Sequence, residues 1–154
     1  MPLLRRSLHT ANGEVSHSWS LAVPAGQLWW GLTNPEALPH WLGTLISGEF
    51  VAGRVVTIQH AENYVCTSLI QECDPERSLS MTWEFPDEPP SQVRIVLTPA
   101  GESTCLALQH NGLGKEAANY LRGWHTHLLY LEALLLGSPR PMAEFWSVYE
   151  GLPD

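Results

Sequence analysis

The hydrophobic period of this chain changes once, after Asn111-Gly112, from two residues to 3.6 residues. Before that point, short alternating segments follow one another between turn signals such as Asp74-Pro75-Glu76. Short strands joined by tight turns indicate an antiparallel meander rather than a parallel sheet. After that point, one apolar stripe continues to Leu136 and predicts a single long helix. The sheet and the helix bury each other's apolar faces, so the sequence predicts an α+β architecture.

The predicted elements are a strand, two short helices, about six further strands and the long helix. Alternation over residues 17–23 predicts the first strand, and residues 27–32 and 35–42 predict the short helices, with Asn34 as the N-cap of the second. The remaining strands lie between residues 45 and 110. The long helix is expected over residues 115–136, a length of roughly 33 Å. Gly137 then ends it.

The length of 154 residues suggests one domain. Residues 1–15 are expected to form a loose lead-in, and residues 16–154 a single domain with a tail over residues 138–154. Trp146 lies in that tail, where it would cover one end of the sheet. The three cysteines form no CxxC pair, and we expect reduced, buried thiols.

The charge balance excludes some partners. Lys plus Arg number 8 and Asp plus Glu 16, which gives a formal net charge of −8. Nucleic acids and anionic membranes reward clustered basic residues, so we expect neither as a partner. The sequence shows no signal-peptide pattern and no apolar run long enough to span a membrane. These observations predict a cytoplasmic protein, either a monomer or a homodimer.

Three stretches of the sequence resemble one known family. They are Leu32-Thr33-Asn34-Pro35-Glu36-Ala37-Leu38 with Trp41-Leu42, then Thr104-Cys105-Leu106-Ala107-Leu108-Gln109-His110, and finally Gly123-Trp124 with Leu128 and Leu131. Their order is that of the heat-shock-protein-90 ATPase activator-like family, which is similar to the activator homologue's C-terminal domain. This family lies within the START/polyketide-cyclase (SRPBCC) superfamily. The resemblance extends from about Trp19 to Leu136.

The resemblance implies a helix-grip, START-like fold. In that fold a curved antiparallel sheet, here of about six to seven strands, surrounds a long C-terminal helix and leaves an apolar cavity between them. Two short helices follow the first strand. Members of the family resemble ligand binders and stress-related proteins, so the resemblance implies a stress- or metabolism-related role.

Seven tryptophans and the inward-facing strand residues are the candidates for the cavity wall. Large aromatic side chains either fill a core or line a pocket, and in this fold the two roles overlap. The predicted cavity residues are Trp19, Trp30, Trp41, Tyr64, Trp83, Phe85, Ile95, Leu97, Leu106, Leu108, His110, Tyr120, Trp124 and Leu128.

The polar candidates allow more than one interpretation. His110 is either a polar group inside the cavity or a histidine at a strand end. Arg94 either forms a solvated cross-strand pair with Glu84 or clamps a ligand carboxylate. His125 and His127 are separated by about 200° around a helix and do not share a metal ion. We therefore predict neither a metal site nor a cofactor.

Three functions remain open. The first is the binding of a small apolar or aromatic ligand in the cavity, which the aromatic-rich interior favours. The second is a chaperone-interaction module, with an exposed patch formed by Trp41 and residues 86–90. The third is a cyclase- or hydrolase-type enzyme that uses Tyr64, Tyr120 and His110 as acid–base groups. The sequence contains no nucleophile or phosphate-binding motif, so a binding protein is favoured over an enzyme and no catalytic residue is assigned.

Overall fold

The structure is a computed structural model that describes residues 6–11, by their backbone, and residues 13–152. The described residues form eight strands and three α-helices. The strands are β1 (Arg6–Ala11), β2 (Glu14–Leu21), β3 (Thr44–Ser47), β4 (Val55–Ala61), β5 (Tyr64–Asp74), β6 (Ser78–Trp83), β7 (Ser91–Ala100) and β8 (Ser103–Asn111). The helices are α1 (Ala25–Thr33), α2 (Ala117–Leu135) and α3 (Phe145–Gly151). The predicted α+β helix-grip fold is confirmed.

One sheet contains all eight strands, in the spatial order β1-β2-β8-β7-β6-β5-β4-β3. Every neighbouring pair is antiparallel, as the sequence predicts. Register shifts interrupt the pairing of β3 with β4, of β4 with β5 and of β5 with β6. Such irregularities bend a strand and increase its twist, so they promote curvature of this half of the sheet.

The sheet has one strand more than the predicted six to seven, because the expected lead-in is partly ordered. Residues 6–11 of that segment form β1 and pair with β2 through a hairpin. Gly13 has φ +75°, which a tight hairpin turn requires and which glycine adopts without strain. The segment lacks a strong alternating pattern, so this edge strand is not predictable from its period.

Alternation along the strands sets the two faces of the sheet. In β8 the side chains of Leu106, Leu108 and His110 are buried, whereas Cys105 and Gln109 are exposed. The prediction of three buried thiols is therefore wrong for Cys105, which the strand's period of two turns to the outer face. Cys66 is buried and Cys73 is half-buried.

The predicted second short helix, over residues 35–42, is wrong in type. The chain there forms a turn and a three-residue 3-10 helix, Leu38–His40. The Asn34 side chain does not cap an α-helix, since its Oδ1 accepts the N–H of Glu36 at 2.8 Å in a local turn. Pro39 has no N–H to donate to a longer helix.

The long helix α2 begins two residues later than predicted, because residues 114–116 form a 3-10 turn. Its buried stripe includes Trp124, Leu128, Leu131 and Leu135, as the periodicity predicts. The helix ends at Leu135, and Gly137 beyond it has φ +86° and donates its N–H to the Leu134 carbonyl, while Ser138 donates to the Ala133 carbonyl. These two bonds form a Schellman motif.

The tail returns to the body of the fold. Residues 142–144 form a 3-10 turn that leads into α3. Phe145, the first residue of α3, is buried against the rings of His127 and Tyr130, with centroid distances of 4.6 and 5.5 Å. The tail therefore contributes a wall beside α2. None of the helices in the described part of the chain is long and apolar enough to cross a membrane.

Candidate functional site

An open cleft of about 350 Å³ lies between the sheet, α2 and the tail. Its walls come from five separate regions: the turn between β4 and β5, the end of β6 with the loop after it, α2 with the turn before it, the tail, and Leu42 in the segment between α1 and β3. The lining residues are Leu42, His60, Ala61, Tyr64, Trp83, Phe85, Glu88, Glu116, Asn119, Tyr120, Gly123, Trp124, His127, Met142, Phe145, Trp146 and Tyr149.

Aromatic rings form the side walls of the cleft. Trp83 from β6 and Trp124 from α2 lie 5.2 Å apart between ring centroids. Phe85 meets Trp83 edge to face at 5.9 Å and stacks on Tyr64 at 4.2 Å, with planes 6° apart. Rings that support one another in this way present flat, rigid apolar surfaces to the cleft.

Two histidines lie deeper in the cleft, with ring centroids 6.1 Å apart. Nδ1 of His127 lies 2.7 Å from the Trp41 carbonyl oxygen, which only accepts, so Nδ1 carries the proton and donates. Burial lowers the pKa of His127 to about 4, although the Trp41 carbonyl opposes this. The ring is thus neutral, and its Nε2 is an acceptor.

His60 has an unmet hydrogen-bonding group. Burial, reinforced by His127, lowers its pKa to about 3, so this ring is also neutral at physiological pH. Its Nε2 is buried without a hydrogen-bond partner. The ring packs edge to face against Phe85 and Trp83. A buried polar atom without a partner costs free energy and marks a place that a bound group can complete.

The rim of the cleft carries carboxylates bonded to tyrosines. The Tyr120 hydroxyl donates to Glu88 at 2.5 Å and accepts from Trp83 Nε1 at 3.2 Å. The Tyr64 hydroxyl donates to Asp87 at 2.9 Å and lies 3.4 Å from Glu88. Burial, with these carboxylates, raises the pKa of Tyr64 and of Tyr120. Both hydroxyls therefore keep their protons. The Tyr120 bond ties the loop after β6 to α2, and the Tyr64 bonds tie it to the start of β5.

The tail closes the remaining side. Trp146 meets Phe145 and Tyr149 edge to face, at centroid distances of 5.2 and 5.3 Å. The exposed fraction of Trp146 is 67%, which is high for so large an apolar side chain. The Arg122 guanidinium lies over the Tyr149 ring, 5.4 Å from its centroid. The mouth of the cleft is thus an aromatic surface open to solvent.

His110 lies behind the wall rather than in the cleft. Trp124 Nε1 donates to its Nδ1 at 3.0 Å, so its Nε2 carries the proton and donates to Ser91 Oγ at 2.7 Å. Ser91 in turn donates to the Trp83 carbonyl at 3.3 Å. Burial lowers the pKa of His110 to about 3. The histidine therefore holds the two tryptophan walls in place, a role that neither of its sequence interpretations included.

Five of the fourteen predicted cavity residues line the cleft, namely Tyr64, Trp83, Phe85, Tyr120 and Trp124. The other nine lie elsewhere. Trp19, Ile95, Leu97, Leu106, Leu108, His110 and Leu128 are buried in the core, Trp41 is buried with its Nε1 bonded to the Gly31 carbonyl, and Trp30 is 39% exposed away from the cleft.

Two further sequence hypotheses need correction. A patch that includes Trp41 is not exposed, because this side chain is 2% exposed. Arg94 does not pair with Glu84: the register places it opposite Ser80, and its guanidinium lies 3.4 Å from Glu72. Both members of that ion pair are half exposed, so it contributes little to stability.

Sequence reasoning missed most of the polar and tail residues of the cleft. His60 ends a weakly alternating strand, Glu88 lies in a proline-rich loop, and Phe145 lies in the tail, so no periodicity points to them. The spacing of His125 and His127 argues only against a shared metal ion, so the sequence assigns no other role to His127. Within the described part of the chain no group of His, Cys, Asp and Glu is arranged to hold a metal ion.

The gripped helix, the curved antiparallel sheet and the cleft beside them define the START-like class of α+β proteins. The chain belongs to the family described as "Activator of Hsp90 ATPase homolog 1-like protein", whose profile matches residues 22–135. This confirms the resemblance seen in the sequence. No curated protein matches the sequence significantly.

Solved structures are similar to the whole fold. CalU16 from Micromonospora echinospora has a TM-score of 0.77 at 22% identity, covering 95% of this chain and 91% of its own. DynU16, from the dynemicin biosynthetic locus, has a TM-score of 0.76 at 23% identity, covering 84% of this chain and 49% of its own. A protein encoded by gene BPP1335 of Bordetella parapertussis has a TM-score of 0.68 at 25% identity, covering 96% and 92%.

Proposed function

We propose that this protein binds a small apolar or aromatic ligand in the cleft between the sheet, α2 and the tail. The observation that carries the proposal is an aromatic-walled cleft of about 350 Å³ with an unpartnered His60 nitrogen in its wall. The volume lies within the range of small-molecule sites, which combine apolar walls with a few polar groups. Membership of a START-like family supports a ligand-binding fold in general.

The proton affinities of the cleft groups favour binding over catalysis. General acid–base catalysis is most efficient when the catalytic pKa lies near the working pH. Here burial lowers the pKa of His60 and of His127 well below 7 and raises those of Tyr64 and Tyr120. All four groups therefore keep one protonation state near neutrality. An enzyme of the cyclase or hydrolase type would need groups that exchange protons more readily.

We place the protein in the cytoplasm, as a monomer or homodimer, in a stress- or metabolism-related role. The alternative of a chaperone-interaction module rests on the family and on the exposed side chains of the loop over residues 86–90. In this structure the same loop is tied to the cleft through Glu88, which favours a role in ligand binding.

The side-chain N–H signals of the tryptophans provide the test, because they report on separate parts of the fold. In a ¹H–¹⁵N NMR titration with 3-methylindole, a neutral aromatic probe, the signals of Trp83, Trp124 and Trp146 should shift. The signals of Trp19 and Trp30, which lie away from the cleft, should stay unchanged. Tryptophan-to-phenylalanine variants assign each signal. The proposal fails if the cleft signals do not move up to the solubility limit of the probe.

A further inference from the structure

The charge of the cleft differs between its floor, formed around His60 and His127, and its rim, where Glu88 and Glu116 lie. The described residues that line it include no lysine or arginine, whereas Glu88 and Glu116 lie among them. The Glu116 side chain accepts from Asn119 at 3.0 Å, so it is held beside the opening. Together these side chains place negative charge near the mouth, where Arg122, which is not itself a lining residue, lies over the Tyr149 ring.

The floor is apolar and keeps its ionisable groups neutral. His60 and His127 both have a pKa shifted downward by burial, so this part of the cleft disfavours positive charge. The unpartnered Nε2 of His60 shows that the protein alone does not complete the polar contacts here. A ligand that enters the cleft would therefore place its flat, uncharged part at this end.

The rim favours the opposite kind of group. The Tyr120 hydroxyl donates to Glu88, and the Tyr64 hydroxyl donates to Asp87 and lies near Glu88, so both rings lie beside carboxylates. Aromatic faces beside carboxylates attract ammonium groups through the ring quadrupole and through charge. The position of Arg122 over Tyr149 shows that a ring at this mouth already accommodates a cation of the chain itself.

We propose that the ligand is an aromatic amine, with its ring packed against Trp83 and Trp124 and its ammonium group beside Glu88. The proposal rests on the binding function proposed above and specifies the charge and the orientation of the ligand. An aromatic carboxylate of the same size should bind more weakly, because it would bring a further anion beside Glu88 and Glu116, while Arg122 at the mouth already lies over Tyr149.

Three probes with the same ring separate charge from apolar contact. Tryptamine is a cation at pH 7, 3-methylindole is neutral and indole-3-acetate is an anion. Dissociation constants come from isothermal titration calorimetry and from the tryptophan N–H signals. We expect tryptamine to bind about tenfold more tightly than 3-methylindole, and indole-3-acetate to bind most weakly. Added salt should reduce this preference, since the rim is open to solvent.

The Glu88→Gln variant isolates the charge, because an amide oxygen still accepts the Tyr120 hydroxyl. It should weaken tryptamine binding by up to about fivefold and leave 3-methylindole unchanged. Glu102→Gln is the matched control: this exposed residue lies in the β7–β8 turn, at the opposite end of the hairpin from Ser91 and Asn111. It should change neither dissociation constant.

The outcomes distinguish this proposal from the one before it. If the probes shift the cleft signals but bind with equal affinity, or if indole-3-acetate binds most tightly, the amine is excluded while ligand binding stands. If tryptamine is preferred but Glu88→Gln and Glu102→Gln behave alike, the assigned orientation is wrong. If no probe shifts the cleft signals, both proposals are overturned.

Discussion

The space between the sheet and α2 has two parts, a closed core around Trp19 and the open cleft around Trp83 and Trp124. Each part pairs a tryptophan N–H with a histidine nitrogen. In the core, Trp19 donates to His17 at 3.2 Å, and the other nitrogen of His17 bonds the Leu121 carbonyl at 3.0 Å. In the wall of the cleft, Trp124 donates to His110. The two parts use the same chemistry to position their tryptophans.

They differ in what lies on the other side of the ring. Exposure does not separate the two parts, because Trp19 and Trp124 are each 1% exposed and Trp83 is 3% exposed. Trp19 lies opposite Leu106 in the sheet, and His125 of α2 meets its ring edge to face at 5.8 Å. Trp83 and Trp124 line the cleft, whereas Trp19 does not, and the adjacent His60 Nε2 has no partner. Packing is complete in one part and interrupted in the other, which is the difference expected between a core that stabilises the fold and a site that binds a ligand.

The sharpest test of this difference is a pair of tryptophan deletions. Trp19→Ala should reduce the free energy of unfolding by about 3–5 kcal/mol, because it leaves a cavity in a filled core. Trp146→Ala should change it by about 0.5 kcal/mol or less, since the side chain is largely exposed. The same Trp146 variant should weaken 3-methylindole binding. Urea denaturation and the NMR titration measure the two effects.

Equal losses of stability in the two variants would contradict the comparison. They would show that the tail tryptophan contributes to folding as much as the core does. A large loss for Trp19→Ala alone, with ligand binding retained at low temperature, would confirm that the core and the cleft have separate roles.

The period of the sequence predicts most of the strands and the long helix, and the burial pattern of β8 confirms it. The edge strand β1, which lacks a clear alternation, is the strand that the period does not predict. The same period predicted which face of the sheet is inward. The period does not predict which part of that face α2 covers, so it places Leu106 and Trp83 in the cavity alike. In the structure Leu106 is buried in the core and Trp83 lines the cleft, and this difference depends on where α2 and the tail pack on the sheet.

The remaining cleft residues come from segments without a period. His60 and Trp146 are 86 residues apart in sequence (146 − 60), and each reaches the cleft through a turn or a tail. Tertiary packing brings them together, and a single sequence carries no local signal for it. The proline-rich loop was recognised as a loop, but nothing in its composition showed that Glu88 would bond Tyr120.

The neutral histidines give the second prediction, which concerns pH. Burial lowers the pKa of His60 to about 3 from an ordinary value of 6.5. Below about pH 6.5 the unfolded chain therefore binds a proton at His60, whereas the folded chain does not until the pH approaches 3. The free energy of unfolding is thus highest above pH 6.5 and decreases as the pH falls below it. His60→Phe should reduce the slope of unfolding free energy between pH 6 and 4.5 by up to about 1.4 kcal/mol per pH unit.

The exposed His40 provides the control for this measurement. His40→Phe makes the same substitution at an exposed ring outside the cleft, so it measures what the change from histidine to phenylalanine does by itself. Urea denaturation at several pH values gives the slopes. A wild-type slope in the His60→Phe variant would show that this histidine is accessible to protons in the folded protein, and would remove it from the apolar floor of the cleft.

The smallest effects on stability are expected at two glycines, Gly123 inside α2 and Gly137 just beyond its end. Gly123 lies inside α2 on the wall of the cleft, and a Cβ added there would meet no atom within 4 Å. Gly123→Ala should therefore raise the free energy of unfolding by about 0.5–1 kcal/mol, as in any helix interior. Gly137→Ala should lower it by about 1 kcal/mol, because φ +86° strains every residue with a Cβ.

A larger side chain at the first position links this test to the cleft. Gly123→Phe should project its ring into the empty volume and weaken 3-methylindole binding at least about tenfold, an effect worth about 1.4 kcal/mol. Gly123→Ala serves as its matched control, since one methyl group leaves most of the volume free. If Gly123→Phe binds the probe as wild type does, the space beside α2 is not the binding site, and the contrast between a filled core and an open cleft has no functional meaning.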